Sequence, residues 1–387
     1  MNDRRWQRIN SGHEWLHWGR LERLATERSA TTQRTLSASI VGDESTATLA
    51  VTNTIPILSP DELLELCGNA WSRDAYSAPD GNPCLLVDLR RPLPMSLDDP
   101  AYRFMMQLPC PTIGIGPCND AAHARDLAKA LDTTVDQEQE LAAIIRNVTA
   151  HPMAAATLVQ LLRHNESTSV EAGLHAESLA YATLQGSRDF RSFLSRRPVP
   201  ITRQDDAEPL VAARTGDILN IALNRPGRHN AYSASMRDAF YETLRWLEAD
   251  DSLERAEVRG EGDCFCTGGD LSEFGQATDP AEAHLIRMSR PVGLLMHRLR
   301  HRITFHVHRA CIGSGIELPA FAGRVVATAD TFFQLPEITM GLIPGAGGTV
   351  SILKRIGRQN MTRWALSARR IRAATALEWG LIDAIAG

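Results

Sequence analysis

The segment from Cys311 to Thr349, CIGSGIELPAFAGRVVATADTFFQLPEITMGLIPGAGGT, carries two glutamates, Glu317 and Glu337, in settings suited to proton transfer. Glu317 follows a glycine-serine-glycine turn, and Glu337 follows a Leu-Pro step. Each is expected at the mouth of a pocket beside exposed backbone N–H groups, where a carboxylate can move a proton next to a carbonyl. A carboxylate in a largely apolar pocket has its pKa raised toward neutrality, which suits general acid work. At the Gly-Ser-Gly turn the chain starts a helix, so the first amides point outward without intrahelical partners. Upstream, the glycines of CFCTGGDL (264–271) let the backbone turn tightly and approach a ligand. Two amides that converge on one carbonyl oxygen form an oxyanion hole, and one such donor is worth roughly 3 kcal/mol of barrier.

These residues need a framework. Ile218 to Leu223 reads as a strand ending in NRPGRHNAYS (224–233). Ser233 to Glu248 reads as an amphipathic helix with Met236, Phe240, Leu244 and Leu247 on one face. Ala256 to Arg259 is a short strand leading into GEGDCFCTGGDLSEF, a helix is expected over about Ala281 to Leu299, and Ile303 to Val307 is a strand running into the Cys311 segment. Repeated strand–helix units of this kind imply an α/β fold with a mainly parallel sheet.

In the first half, Ser59-Pro60-Asp61-Glu62 reads as an N-cap, a proline at the first helical position and a capping-box acid, opening a short helix to about Cys67. Cys84 to Leu89 and Cys110 to Ile115 read as buried strands, which suggests an α/β unit. The pattern then turns helical: Asp136 to Ala150, a break at Pro152, apolar residues at Leu158, Leu161 and Leu162, and a helix from Glu171 to Leu194. The first ~50 residues give a weak signal. RRPVPITRQDDAEP (196–209) has little to bury and reads as a linker. The expected organisation is an α/β then helical module over 1–200, a linker at 201–208 and a second domain over 209–387.

Composition excludes several classes. The chain has 387 residues, 43% hydrophobic content and a formal net charge of −5, with the signs interspersed. Lys and Arg cluster weakly, at Arg369-Arg370-Ile371-Arg372, so nucleic acid is not an expected partner and the cluster reads as a solvated helix face. Seven scattered cysteines do not form a disulfide framework, which points to a reducing compartment. The opening residues lack the apolar core of a signal peptide. No stretch approaches the ~20 apolar residues of a membrane-spanning helix. A cytoplasmic protein is the expectation. Cys264 and Cys266 alternate along a strand and read as packing rather than metal ligands, so no metal is expected. His306 and His308 alternate likewise, with no acidic partner visible. Tyr232 reads as ordinary core.

Four motifs in order, NRPGRHNAYS (224–233), CFCTGGDLSEF (264–274), CIGSGIELPAF (311–321) and FQLPEITMGLIPGAGGT (333–349), resemble the crotonase superfamily, also called the enoyl-CoA hydratase/isomerase family. The resemblance covers residues 208–387 and implies the crotonase spiral of ββα units, with mainly parallel sheets and flanking helices. It implies an acyl-CoA substrate, no separate cofactor beyond the coenzyme A carried by that substrate, and a homo-oligomer.

By the same resemblance the oxyanion amides belong to Gly269 and Ser314, and Glu317 and Glu337 match both catalytic glutamates of the hydratase branch. There, one activates water for attack at C3 and the other handles the α proton. Ser314 stands where glycine is usual; its hydroxyl either crowds the thioester or joins its hydrogen bonds. Arg228, Ala231, Gly268, Asp270 and Gly345 match positions near the substrate, although Asp270 also reads as the cap of the helix that begins SEF. GAGG (345–348) lacks the lysine and spacing of a P-loop, and a helix start beside the substrate is the better reading. Having both glutamates favours adding or removing water over isomerisation, thioester or C–C hydrolysis, or cofactor-free oxygenation. A non-catalytic acyl-CoA-binding partner is the reading from another class.

The chain departs from the family at Arg309 and Gly323, where glycine and aspartate are common, and after GAGG, where typical members continue with helices that cover the site. The stretch HAESLAYATLQGSRDFRSFLSRRPVP (175–200) looks like the C-terminal end of a crotonase, with its glutamate-bearing helix, and CPTIGIGPCN (110–119) like a worn version of the strand before the oxyanion loop. One reading of residues 1–200 is therefore a degenerate crotonase module whose helices cover the active half. The other is an unrelated α/β domain with a helical tail.

Overall fold

The computed structural model describes residues 35–39, 50–78, 81–92, 98–117, 122–197, 208–277 and 279–386. The expected linker lies, except for Glu208, outside the described residues, as do most of the first 50.

The first half builds a five-stranded sheet in simple order. Its strands are β1 (Thr35–Ser39), β2 (Ala50–Leu58), β3 (Leu85–Asp88), β4 (Thr112–Ile115) and β5 (Thr133–Val135); β1 pairs antiparallel with β2, and the rest run parallel. Helices α1 (Pro60–Cys67), α2 (Asp99–Gln107) and α3 (Ala122–Ala130) connect them. The Ser59–Glu62 capping box is present in both directions, Glu62 N–H to Ser59 Oγ and Ser59 N–H to Glu62 Oε2. Four helices follow: α4 (Glu138–Ala150), α5 (Pro152–Ser167), α6 (Val170–Gln185) and α7 (Arg188–Ser195). The single helix expected over 171–194 is thus two. The chain bends at Gly186, and the Ser187 hydroxyl accepts from Phe190 N–H to start the next helix.

The second half opens with a hairpin, β6 (Leu210–Thr215) and β7 (Ile218–Leu223), then α8 (Ala234–Ala249) capped by Ser233, and β8 (Arg255–Gly260). The helix expected over 281–299 is split at Pro291 into α9 (Pro280–Ser289) and α10 (Val292–Arg298). Proline has no N–H to continue the ladder. Next come β9 (Ile303–Val307), β10 (Ala310–Ile312), the one-turn α11 (Ser314–Glu317), β11 (Arg324–Thr328), β12 (Phe332–Gln334) and α12 (Gly348–Ser367), which is broken at Gly357. The last elements are β13 (Ile371–Arg372), α13 (Ala373–Glu378) and β14 (Ala384–Ala386). A six-stranded sheet runs β14-β11-β9-β8-β7-β6, parallel except at β6, and a small sheet runs β10-β12-β13. The mixed, mainly parallel α/β architecture agrees with the sequence. The basic run at 369–372 is not a helix face: it forms a loop and β13, where Arg369 pairs with Glu140 and Arg370 lies over the Phe332 ring.

One hydrophobic core spans both halves, from Ile55 through Leu158 and Phe190 to Ile382. Helix α12 is its axis. It packs against α4, α5, α6 and β5 from the first half and against α11 from its own. Polar ties reinforce the packing. Asn147 Nδ2 donates to Leu366 O (2.8 Å), and buried Arg358 pairs with Asp132 (3.0 Å) and Glu166 (3.0 Å). A buried guanidinium is stable only with such partners. Residues 35–387 form one compact unit, and α6 and α7 lie over the segments that carry Glu337 and Gly345.

Candidate active site

Two loops meet to make the site. The segment from Cys264 runs beside β10 as a parallel bridge between Cys266 and Cys311, in which Cys266 N–H donates to Ala310 O and Ile312 N–H to Cys266 O. Gly268 sits at φ +96°, and a Cβ there would come within 3.2 Å of Ile312 O. Gly315 has no room for a Cβ at all, since it would fall 2.5 Å from Cys266 O. Glycine at these positions is therefore what lets the two chains touch. The next residues along, Gly269 and Ser314, line one cavity. Neither amide N–H donates to any described residue. In the case of Ser314 this follows from its place in the first turn of α11.

Glu317 ends α11 and is 2% exposed. Its Oε2 accepts from Ala346 N–H (2.8 Å) and Gly348 N–H (2.9 Å), at the start of α12. Glu337 opens a short 3-10 turn, and its Oε2 is buried without a hydrogen-bond partner. A Cβ on Gly313 would stand 2.6 Å from Glu337 Oε1 and 3.8 Å from Glu317 Oε1. Both carboxylates thus look onto the same point of the Gly-Ser-Gly turn, where only a glycine (φ +51°) leaves them space. Burial pushes Glu317 up to about 7, opposed by its two amide donors. Burial, then the neighbouring charge of Glu317, holds Glu337 well above the carboxylate range.

A third carboxylate comes from the first half. Glu177 of α6 is 3% exposed, and its Oε1 accepts from Gly347 N–H (2.7 Å). Its Oε2 accepts from Thr349 N–H (3.0 Å) and the Thr349 hydroxyl (2.6 Å). Burial and the charge of Glu317 push it up to about 8. Tyr181, one turn on, lies against Gly345, where a Cβ would meet the ring at 2.3 Å. Leu174, Ser178, Tyr232, Arg237, Phe274 and Arg287 are among the other lining residues.

The structure brings together Gly269, Ser314, Glu317, Glu337 and Gly345 around this cavity. Gly268 adjoins it, with its carbonyl taken by Tyr232 N–H. Arg228 and Ala231 are not in its wall, and the Ala231 carbonyl accepts from Arg225 Nη1 (2.5 Å). Asp270 is held by Arg225 (2.8 Å) and caps Ser272 N–H, as its sequence position suggested, and also lies outside the wall. Tyr232 belongs to the wall rather than the ordinary core. His306 does have an acidic partner, Glu257 Oε2 at 2.7 Å on the neighbouring strand, and His308 meets Gly262 O. The Ser314 hydroxyl is buried beside the Cys266 thiol and lacks a hydrogen bond of normal geometry. Among the described residues no His, Cys, Asp and Glu group is arranged to hold a metal ion, and no helix is long and apolar enough to cross a membrane.

The sequence model of the enoyl-CoA hydratase/isomerase family matches residues 213–387, the stretch that supplies Gly269, Ser314, Glu317, Glu337 and Gly345. Residues 213–387 belong to that family. Mevalonyl-coenzyme A hydratase sidH of Aspergillus fumigatus is 29% identical over 176 residues, which are 46% of this chain and 65% of that protein. The 2,3-dehydroadipyl-CoA hydratase of Escherichia coli is 29% identical over 175 residues, 45% of this chain and 68% of that one. A solved enoyl-CoA hydratase/isomerase from Marinobacter aquaeolei is 28% identical with a TM-score of 0.42, covering 46% of this chain and 71% of its own. The chain thus spans about two thirds of the length of these relatives. Glu177, Tyr181 and the rest of α6 lie outside the matched hydratase/isomerase stretch, yet they close its cavity. The one sequence signal for Glu177 is the glutamate of HAESLAYATLQG, the pattern that resembles a crotonase C-terminus.

Proposed function

We propose that this protein is an acyl-CoA hydratase or dehydratase, adding water to or removing it from an enoyl thioester. The observation that carries the reading is the pair of carboxylates, Glu317 and Glu337, facing one point beside two amides, Gly269 and Ser314, that have no partner among the described residues. The thioester carbonyl oxygen accepts from both amides, which stabilises the enolate-like charge that develops there. The surroundings of the two carboxyls assign the roles: Glu317 Oε2 accepts from two amides, which favours its ionised form, whereas Glu337 Oε2 is buried without a hydrogen-bond partner. Glu317, raised to about 7, is partly ionised near neutrality and takes a proton from water as its oxygen bonds to C3. Glu337, which burial and the charge of Glu317 hold well above the carboxylate range, stays protonated and delivers its proton to C2. Dehydration runs the same steps backwards. The relatives named as CoA hydratases support this reading over isomerisation.

The test is incubation of the purified full chain with a panel of 2-enoyl-CoA thioesters. The expected result is loss of the conjugated-thioester absorbance with a mass gain of one water. A shift of the double bond without mass change makes the protein an isomerase instead, and release of free CoA makes it a thioesterase.

A further inference from the structure

The cavity wall contains a cation that makes no ion-pair contact with an acid among the described residues. Arg287 of α9 is half-buried and held in place by α6: its Nε donates to Ser178 Oγ (3.1 Å), Nη1 to Gln185 Oε1 (3.1 Å) and Nη2 to Ser178 O (3.0 Å). Its guanidinium lies over the Tyr181 ring, 5.1 Å from the centroid. All three acceptors are neutral groups, and the charge of Glu177 acts on Arg287 without an ion-pair contact. Elsewhere in this fold, inaccessible guanidiniums are paired: Arg225 with Asp270, Arg163 with Asp132, Arg358 with Asp132 and Glu166. Even the other arginines of the cavity wall have acids, since Arg237 and Arg290 both meet Asp238. A guanidinium carries five N–H donors, and three are used here, so two remain for a ligand.

Arg287 lines the same cavity as the oxyanion amides and the two glutamates. Gly269 and Ser314 fix the carbonyl end, and Glu317 and Glu337 fix C2 and C3. Tyr181 packs on Gly345 and also carries Arg287 over its ring, and all three line the cavity that holds the two glutamates. An acyl chain continuing past C3 runs toward this cation. Building on the hydratase reading, we propose that Arg287 selects thioesters whose acyl chain ends in a carboxylate, the ω-carboxyacyl class, by a charge-assisted hydrogen bond to the free edge of its guanidinium. Planar, fixed guanidinium donors match a carboxylate well. Arg237 and Arg290, more open and already paired, are suited to the phosphates at the nucleotide end.

Calorimetric titration of the full chain with saturated thioesters tests this without turnover. The wild type is expected to bind an ω-carboxyacyl-CoA about 10- to 100-fold more tightly than the methyl-ended acyl-CoA of equal length. Arg287→Met should bring that ratio close to one, and Arg287→Lys, which keeps charge but not the fork, should retain part of it. Repeating the series with acyl-pantetheine thioesters, which lack the nucleotide phosphates, should give the same ratio. Equal binding of both tails by the wild type overturns the proposal and leaves the hydratase reading standing. A loss on Arg287→Met that is the same for both tails, and vanishes with pantetheine thioesters, assigns Arg287 to the phosphates and overturns it too. Failure to bind any acyl-CoA overturns the hydratase reading itself. If Arg287→Met does not fold, the wild-type ratio and the lysine variant still decide the matter.

Discussion

Glu177 and Glu317 interleave on four consecutive amides: Ala346 and Gly348 donate to Glu317, while Gly347 and Thr349 donate to Glu177. The loop before α12 is thus clamped from two sides by carboxylates that lie 140 positions apart in the chain (317 less 177). Each pair of donors lowers the proton affinity that burial raises. Removing one side disturbs the other. Glu177→Gln keeps the shape but turns an NH2 against a donor, so the loop shifts and Glu317 loses its alignment. The expected loss in kcat is about 10- to 100-fold, the worth of a charge-assisted hydrogen bond. Steady-state kinetics on the best enoyl-CoA checks it, and an unchanged kcat would leave Glu177 with a purely architectural place.

Glu317→Gln and Glu337→Gln each remove one proton carrier and leave the amides of Gly269 and Ser314 intact. Turnover should fall about 10²–10⁴-fold in each, with acyl-CoA affinity nearly preserved. Calorimetry beside kinetics separates the two effects. Full activity in either variant rules out the two-carboxylate mechanism.

The pH profile of kcat/KM follows from the same pair. Glu317 must be ionised to act as base, so activity rises with pH through about 7. Glu337 must be protonated, and burial with the charge of Glu317 holds its pKa well above the carboxylate range, so activity falls again on the alkaline side. A bell is expected, and a flat profile across neutrality contradicts the assignment.

Stability should carry an opposite signature. Glu177 has a folded-state pKa raised to about 8, so the fold favours its protonated form. Its contribution is present on the acid side and is lost as pH climbs from the ordinary carboxylate range through about 8. Glutamine does not titrate. The melting temperature of Glu177→Gln relative to wild type should therefore rise steadily over that window and level off above it. A constant difference in thermal scans would show that Glu177 binds protons no more tightly folded than unfolded.

Gly315→Ala tests the junction of the two oxyanion segments. The added methyl falls 2.5 Å from Cys266 O, a backbone atom that cannot swing away. The Ser314 amide must move, and loss of one oxyanion donor is expected to lower kcat about 10²–10³-fold. Circular dichroism on the same sample confirms that the fold survives.

How much of this could be read from residues alone depended on distance along the chain. Glu317 and Glu337 were legible because the glycine that frees their space, Gly313, sits within a few residues of Glu317. The strands β7 and β9 were legible from their apolar alternation. Glu177 was not. The apolar residues of its helix suggest that Leu179 is buried, yet Leu179 is 49% exposed while Gly173, Glu177 and Ser178 face inward. A helix that turns a small and polar face inward is inverted with respect to the usual pattern, because its inner neighbour is a loop rich in amide donors rather than an apolar sheet. Arg228 and Ala231 were placed near the substrate by motif alone, and the cavity does not reach them. Arg287 carried no signal, since a lone arginine on an amphipathic helix is most often solvated.

Helices α4–α7 are synthesised before the loop they clamp. A ribosome releases Glu177 well ahead of Gly347 and Thr349, so the cap of this site is made first and its floor last. Until α12 emerges, α5 and α6, with Leu158, Leu162 and Leu184, have each other but not α12 to pack against. Completion of the cavity consequently waits on α12, and the covering helices must hold their place until it arrives.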